Sequence, residues 1–194
     1  MTPRSIPELA TAARQVLSAL DDAGIRACVI GALAVHRWGE PRATSDADFS
    51  ALAPYGIERP VLDALLNRFE ARRPDAEAFA LTTRVLLLRT PEGVEVDVAL
   101  AAFPFEIEAL DMASSWAILP GISLRTCPAE HLVVYKLVAA RSHDLGDVEG
   151  IVRRQGRRLD VDRIRYWGRE FAELKEDPDL LRPFEDALRK AQAT

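Results

Sequence analysis

The chain has 194 residues, 48% of them hydrophobic, which is enough to bury the core of one domain or of one domain with a small helical appendage. Its formal net charge of −5 at pH 7 argues against a general nucleic-acid coat protein, which would usually be basic, but leaves room for recognition of one RNA through a local basic patch. No stretch approaches the roughly 18 apolar residues of a membrane span, and no signal peptide is visible, so we expect a soluble, cytoplasmic protein.

The first part of the chain predicts alternating helices and strands. Apolar residues at helical spacing indicate helices, whereas a short apolar run that ends at Gly31 is typical of a buried strand. The predicted helices of this part cover residues 6–23, 32–38 and 57–69, and the predicted strands cover residues 25–30 and 47–52. Residues 74–78 break the pattern.

The second part begins with two β-rich runs, 83–90 and 94–100, joined by Pro91-Glu92-Gly93. A proline and a glycine in so short a link favour a turn, so we predict a β-hairpin. The remaining predictions are a helix over 105–113, short strands over 116–119 and 122–125, and helices over 129–141, 144–154, 161–174 and 179–191. We therefore expect an α+β core over residues 1–126, followed by a C-terminal helical bundle over residues 127–194 that packs on the core.

Three aspartates are the candidate metal ligands. Asp46 and Asp48 lie two residues apart in a predicted strand, so both carboxylates point to the same face, about 6–7 Å apart. Asp97 lies in an apolar, β-branched run that would otherwise be typical of a buried strand, where an unpaired carboxylate is costly. A divalent cation shared with the other two would compensate that charge. The alternative is a pair of solvated turn acids and one tolerated strand acid.

The order of these motifs resembles the nucleotidyltransferases of the DNA-polymerase-β superfamily, and within it the AbiEii/MenT-type enzymes associated with bacterial toxin–antitoxin systems. The segments that carry the resemblance are 29–34, 42–49 (Arg-Ala-Thr-Ser-Asp-Ala-Asp-Phe), 94–98 (Val-Glu-Val-Asp-Val) and 136–148. The resemblance implies a mixed β-sheet core with flanking helices. It also implies Mg²⁺-dependent transfer of an NMP from an NTP such as ATP to an acceptor hydroxyl.

The resemblance further assigns roles to individual residues. Asp46, Asp48 and Asp97 would hold two Mg²⁺ ions, with Mn²⁺ as an alternative, and these aspartates together with Lys136 would form the catalytic set. The residues implied in nucleotide binding are Gly31, Ala32, Arg42, Thr44, Lys136 and Arg141. The family usually has Gly or Ser at the position of Ala32, so a phosphate contact there would rest on the backbone alone.

Structural alternatives remain open for the helical residues. Lys136 can extend along a helix edge without binding a ligand, and Arg42 can be a surface arginine. Asp144 and Asp147 can cap the helix that follows or can position Lys136 or Arg141. At His143 the family often has Lys, so any phosphate charge from that position would depend on pH.

The acceptor implied by the resemblance is tRNA or a protein side chain, with a cognate antitoxin as a partner of the protein. One rival hypothesis is a small-molecule nucleotidyltransferase of the antibiotic-modifying kind. Another is a non-catalytic domain of the same fold that binds a nucleotide or a protein partner. Retention of all three aspartates favours an enzyme, and we expect the strands that carry them to be adjacent in one sheet.

Overall fold

The computed structural model describes residues 3–192. The helices are α1 (Ile6–Asp22), α2 (Gly31–Trp38), α3 (Arg59–Leu66), α4 (Ala76–Thr83), α5 (Pro104–Asp111), α6 (Ala129–Ala139), α7 (Ser142–Gln155), α8 (Val161–Leu174) and α9 (Arg182–Gln192), with a 3₁₀ turn at Gly156–Arg158. The strands are β1 (Ala27–Ile30), β2 (Asp46–Leu52), β3 (Glu70–Ala71), β4 (Val85–Arg89), β5 (Glu95–Ala101), β6 (Ser114–Leu119) and β7 (Ile122–Thr126). This mixture of helices and strands confirms the predicted α+β class.

The described strands form one mixed sheet in the order β3-β4-β5-β2-β1-β7-β6. Strand β2 lies at its centre, antiparallel to β1 and parallel to β5. Strands β4 and β5 pair antiparallel, which confirms the hairpin predicted around residues 91–93. Because β2 and β5 are far apart in sequence, only the fold brings them side by side.

Alternation along the central strands separates an apolar face from a polar one. Phe49 on β2 and Val96 and Val98 on β5 are fully buried in the core. Helix α1 contributes Leu9, Val16 and Leu20 to the same core and contacts β1, β2 and β7. Since side chains of a strand alternate between faces, the acidic residues beside these core positions point away from the core.

Two short elements differ from the sequence-based predictions. We predicted an interruption over residues 74–78, but helix α4 begins at Ala76 and ends at Thr83, so Pro74 precedes a helix start rather than marking a longer loop. The two-residue strand β3 was not predicted, because a segment this short has no periodicity to recognise and is defined only by its pairing with β4.

The chain divides into two compact units. The sheet unit comprises residues 3–33 and 43–127, and the helical unit comprises residues 34–42 and 128–192. We assigned residues 34–42 to the N-terminal core on sequence, whereas hydrogen bonds from helix α7 hold this segment in the helical unit. Arg154 donates to the carbonyl oxygens of His36 and Gly39, and Gln155 donates to that of Trp38. Within the described residues, no helix is both long enough and apolar enough to cross a membrane.

Candidate functional site

The parallel pairing of β2 and β5 gathers carboxylates on one side of the sheet unit. Its register sets Asp46 opposite Glu95 and Asp48 opposite Asp97. Partners across paired strands point to the same side, and so do residues two apart, so these side chains share one face. We call this set, Asp46, Asp48, Glu95 and Asp97, the acid face. The expected adjacency of the strands that carry Asp48 and Asp97 is confirmed.

The chain around β2 orients its two aspartates. Gly31 follows β1 directly and has a φ of 63°, a conformation that favours glycine. A Cβ built on Gly31 would lie only 2.6 Å from Asp48 Cγ, so the carboxyl group of Asp48 occupies the space that any side chain at position 31 would need. Thr44, which is buried, donates a hydrogen bond from Oγ1 to Asp46 Oδ1 at 2.6 Å.

Arg72, directly after β3, forms ion pairs with the acid face. Its guanidinium group donates to Glu95 Oε2 and to Asp97 Oδ1, and its side chain is only 17% exposed. Neither Arg72 nor Glu95 was predicted from the sequence as a site residue. The spacing of Glu95 from Asp97 repeats that of Asp46 from Asp48 and could have identified Glu95. For Arg72 the sequence offers no comparable signal, because its contact depends on how β3, β4 and β5 pair.

The acid face has more negative than positive charge. Burial is the largest influence on Asp97 and raises its pKa above the ordinary aspartate value. Arg72 opposes this rise, whereas the charges of Asp46 and Glu95 add to it. Arg89 on β4 contributes a second guanidinium group, 3.4 Å from Glu95. Among the described residues in these contacts, four carboxylates therefore face two cations.

The acid face has the donor chemistry of a magnesium site. Within residues 3–192, no three His, Cys, Asp or Glu side chains are already arranged to hold a metal ion. The ion pairs of Arg72 account for this at Glu95 and Asp97, since they direct both carboxylates towards a guanidinium group. Carboxylate oxygens are nonetheless the ligands that Mg²⁺ prefers. In donor chemistry, Asp46, Asp48 and Asp97 therefore fit the ion.

A cavity of about 480 Å³ lies in the sheet unit beside the acid face. Glu95 belongs to both, and Ser45, which precedes Asp46, also lines the cavity. Its charged lining combines two arginines, Arg4 and Arg89, with two glutamates, Glu8 and Glu95. The cavity is thus balanced in charge, in contrast to the acid face.

The helical unit contains a second group of charged residues, which we call the helical ion cluster: Arg42, Lys136, Asp144 and Asp147. Lys136 is 6% exposed, and its Nζ lies 2.8 Å from Asp144 Oδ1 and 2.9 Å from Asp147 Oδ2. Arg42 donates to both oxygens of Asp147, at 2.8 and 3.0 Å. Burial opposes the charged form of Asp147, but hydrogen bonds from Arg42 and Lys136 hold its pKa below the ordinary value.

The start of α7 shows that both structural alternatives for Asp144 hold at once. Asp144 Oδ2 accepts a hydrogen bond from the backbone N–H of Arg141 at 3.3 Å, while its other oxygen pairs with Lys136. The side chain of Arg141 is 72% exposed, and its Nε lies 4.0 Å from Asp144 Oδ2. His143 Nε2 lies 3.5 Å from the same carboxyl group. The predicted nucleotide-binding cations thus gather around Asp144 and Asp147, whose charges they share.

The chain is similar to known proteins in its three-dimensional structure. No protein-family model and no curated protein matches the chain. It is similar to an antigenic nucleotidyltransferase-like protein from Paracoccidioides brasiliensis, at 17% identity and a TM-score of 0.55 over 95% of each chain. It is also similar to the antibiotic-resistance factor ANT(2'')-Ia in solution, at 14% identity and a TM-score of 0.61 over 89% of this chain and 97% of that one.

A crystal structure of ANT(2'')-Ia in complex with adenylyl-2''-tobramycin is similar as well, at 14% identity and a TM-score of 0.55 over 86% of this chain and 98% of that one. These likenesses extend over most of each chain, through both the strands and the C-terminal helices. At such low identity they establish architecture rather than activity. The chain has the nucleotidyltransferase fold.

Proposed function

We propose that the protein is a Mg²⁺-dependent nucleotidyltransferase that transfers an NMP from an NTP to an acceptor hydroxyl. The observation that carries this proposal is the parallel register of β2 and β5, which sets Asp48 opposite Asp97 and places Asp46 on the same face. The nucleotidyltransferase fold supports the proposal, and the family resemblance assigns Asp46, Asp48 and Asp97 to the metal site.

Each residue of the site has a defined task in this reaction. Asp46, Asp48 and Asp97 hold the metal, and Thr44 orients Asp46 through its hydrogen bond. Gly31 leaves room for the Asp48 carboxyl group at the start of α2, where free backbone N–H groups can donate to phosphate oxygens. When bound, two Mg²⁺ ions supply charge stabilisation at the phosphate and lower the pKa of the acceptor hydroxyl.

The helical cations differ in how freely they can meet a nucleotide. Arg42 and Lys136 donate to the carboxylates of Asp144 and Asp147, whereas the side chain of Arg141 is largely exposed. Among these three cations, the side chain of Arg141 is therefore the most accessible to solvent, whereas those of Arg42 and Lys136 are engaged with carboxylates.

The acceptor is proposed from the family resemblance and from one structure of similar fold. tRNA or a protein hydroxyl is the first candidate, which would suit a toxin neutralised by a cognate antitoxin. The cavity lining, in which Glu8 and Glu95 balance Arg4 and Arg89, favours neither an anionic nor a cationic acceptor. A small molecule is the second candidate, because one structure of similar fold, that of ANT(2'')-Ia, contains adenylyl-2''-tobramycin.

The test is incubation of the protein with each α-labelled NTP, Mg²⁺ and, in separate reactions, bulk tRNA, protein extract or an aminoglycoside. We expect Mg²⁺-dependent label in one acceptor class, with tRNA or protein first. Asp48→Ala should abolish the transfer and leave the melting temperature nearly unchanged or raised, because it removes repulsion between carboxylates. Asp162→Ala, a control in the helical unit whose side chain is 98% exposed, should retain activity.

Two results would overturn the proposal. If the wild-type protein labels no acceptor with any NTP, the non-catalytic alternative is favoured. If Asp48→Ala transfers label at the wild-type rate, the protein is an enzyme but the acid face is not its metal site.

A further inference from the structure

We propose that Arg72 is a built-in cation that competes with the divalent metal ion for Asp97, so that the ion binds by displacing the guanidinium group. This inference rests on the proposed function, because it takes the acid face as the metal site. It adds a positioning residue that belongs to none of the motifs in the sequence.

The contacts of Arg72 place its charge between two carboxylates of the acid face. Its guanidinium nitrogens donate to Glu95 and to Asp97, which lie on the same side of β5. The backbone N–H of Arg72 donates to the carbonyl oxygen of Leu87 at 3.0 Å, and Leu87 is the cross-strand partner of Asp97. The backbone thus anchors Arg72 level with Asp97, and a guanidinium group, which stays protonated, fits both acids.

The same contacts make Arg72 displaceable. Its side chain donates to these two carboxylates, while its Nε is buried and has no hydrogen-bond partner within the described residues. A metal ion that takes an oxygen of Asp97 would lie within a few ångströms of the guanidinium charge, and two cations so close repel each other. Binding of the ion therefore requires Arg72 to move away from Asp97 or the ion to bind more weakly.

The competition has a consequence for the order of binding. Metal alone must displace Arg72 from Asp97 and leave it with Glu95 as its remaining carboxylate partner in these contacts. Metal that arrives with a nucleotide also brings phosphate oxygens, which offer both further metal ligands and a new bidentate partner for the guanidinium group. We therefore expect Arg72 to disfavour metal binding in the absence of the nucleotide.

The experiment measures Mn²⁺ binding to the whole protein, without nucleotide and at neutral pH, from the electron paramagnetic resonance signal of free Mn²⁺. We expect Arg72→Gln and Arg72→Ala to bind Mn²⁺ about tenfold more tightly than wild type, because a competing charge is gone. The matched control is Arg89→Gln, which removes an arginine that contacts Glu95 from the neighbouring strand. It should change the affinity by less than about threefold, since general charge effects are screened.

The sign of the effect separates competition from a structural role. If Arg72 only held the carboxylates in place, its removal would weaken Mn²⁺ binding, and a folded Arg72→Gln variant with wild-type or weaker affinity would overturn the inference. Failure of both neutral variants to fold would also overturn it, because Arg72 would then be structural. A larger Mn²⁺-induced rise in melting temperature for Arg72→Gln than for wild type is the second expected result.

Asp48→Ala distinguishes failure of the inference from failure of the proposed function. If Mn²⁺ binding is lost in Asp48→Ala but unchanged in Arg72→Gln, the metal site stands and only the role of Arg72 is wrong. If neither wild type nor Arg72→Gln binds Mn²⁺, or if Asp48→Ala binds Mn²⁺ as tightly as wild type, the proposed function fails together with the inference.

Discussion

The acid face and the helical ion cluster collect the same kinds of side chain but differ in charge balance. The helical ion cluster sets two cations against two carboxylates, and its lysine and both aspartates are almost fully buried. The acid face sets four carboxylates against two guanidinium groups, and its carboxylates are partly exposed. The helical ion cluster is balanced in charge, whereas the acid face itself consists of carboxylates, two of which pair with Arg72 or Arg89.

This difference favours a structural role for the helical ion cluster and supports the proposed metal-binding role of the acid face. Burying a balanced set costs desolvation of each ion, and this cost is offset only where every charge has a well-placed partner. An unbalanced set keeps carboxylates at close distance against their repulsion, and a cation from solution relieves it. The sequence motifs alone cannot separate a structural group from a functional one, because the acid face and the helical ion cluster both match the family resemblance.

The largest expected effect is on stability and comes from the helical ion cluster. Lys136→Met should lower the free energy of unfolding by about 3–5 kcal/mol, because it leaves buried carboxylates without their ammonium partner. The measurement is urea denaturation. Lys175→Met is the control: Lys175 also lies in the helical unit but is exposed, donates only to the carbonyl oxygen of Val138 in the contacts described, and should change stability by less than about 0.5 kcal/mol.

Nucleotide titration of the same variants tests the other role of Lys136. If its ammonium group holds triphosphate charge, Lys136→Ala and Lys136→Met should weaken NTP binding equally. A stable Lys136→Met variant with weakened NTP binding would contradict the structural assignment and would place Lys136 among the functional cations. Wild-type NTP affinity in both variants would remove Lys136 from the nucleotide site.

A smaller effect should follow when the support of the acid face is disturbed. Gly31→Ala forces an alanine into a left-handed conformation, at about 1–2 kcal/mol, and its methyl group displaces the Asp48 carboxyl group. Gly121→Ala is the matched control, since Gly121 has a φ of 76° but nothing within 4 Å of its Cβ position. We expect both variants to lose stability by thermal denaturation, but only Gly31→Ala to weaken Mn²⁺ binding.

Equal Mn²⁺ affinities for the two glycine variants would show that the position of the Asp48 carboxyl group does not matter for the ion. Both variants place an alanine in a left-handed backbone conformation, so they share this loss of stability. The difference between them isolates the contact with Asp48.

The smallest effect concerns acid stability of the helical ion cluster. Because the folded pKa of Asp147 is lowered, its charge stabilises the fold fully above the ordinary aspartate pKa of about 4, and this contribution is lost as pH falls through the lowered folded pKa. Asp147→Asn should therefore lose about 1–2 kcal/mol at neutral pH and converge with wild type in acid. Denaturant unfolding across this pH range measures the convergence.

The exposed Asp162 again provides the control, because Asp162→Asn should keep the wild-type acid dependence. A constant difference between Asp147→Asn and wild type at every pH would mean that the carboxyl group contributes by packing rather than by charge. That result would remove charge balance as the reason for the stability of the helical ion cluster.

The local sequence pattern was sufficient to predict the secondary structure of a segment wherever that segment determines its own structure. Helix α8 covers residues 161–174 as predicted, because its apolar period is strong, and the turn at residues 91–93 joins two paired strands as its proline and glycine indicated. Where the local signal was short or ambiguous, as at α4 and β3, the prediction was wrong or absent. Such segments take their structure from contacts with neighbours.

The sequence by itself also determined that Asp46 and Asp48 share a face, because alternation in a strand is a local property of the backbone. Only the tertiary structure decided that Asp97 lies opposite Asp48, that Arg72 pairs with Asp97, and that residues 34–42 belong with the C-terminal helices. Each of these depends on which strands pair and which helix side chains reach a distant carbonyl. Those are contacts between segments that are remote in sequence. They contribute to stability only when folding brings the segments together, so no local sequence pattern encodes them.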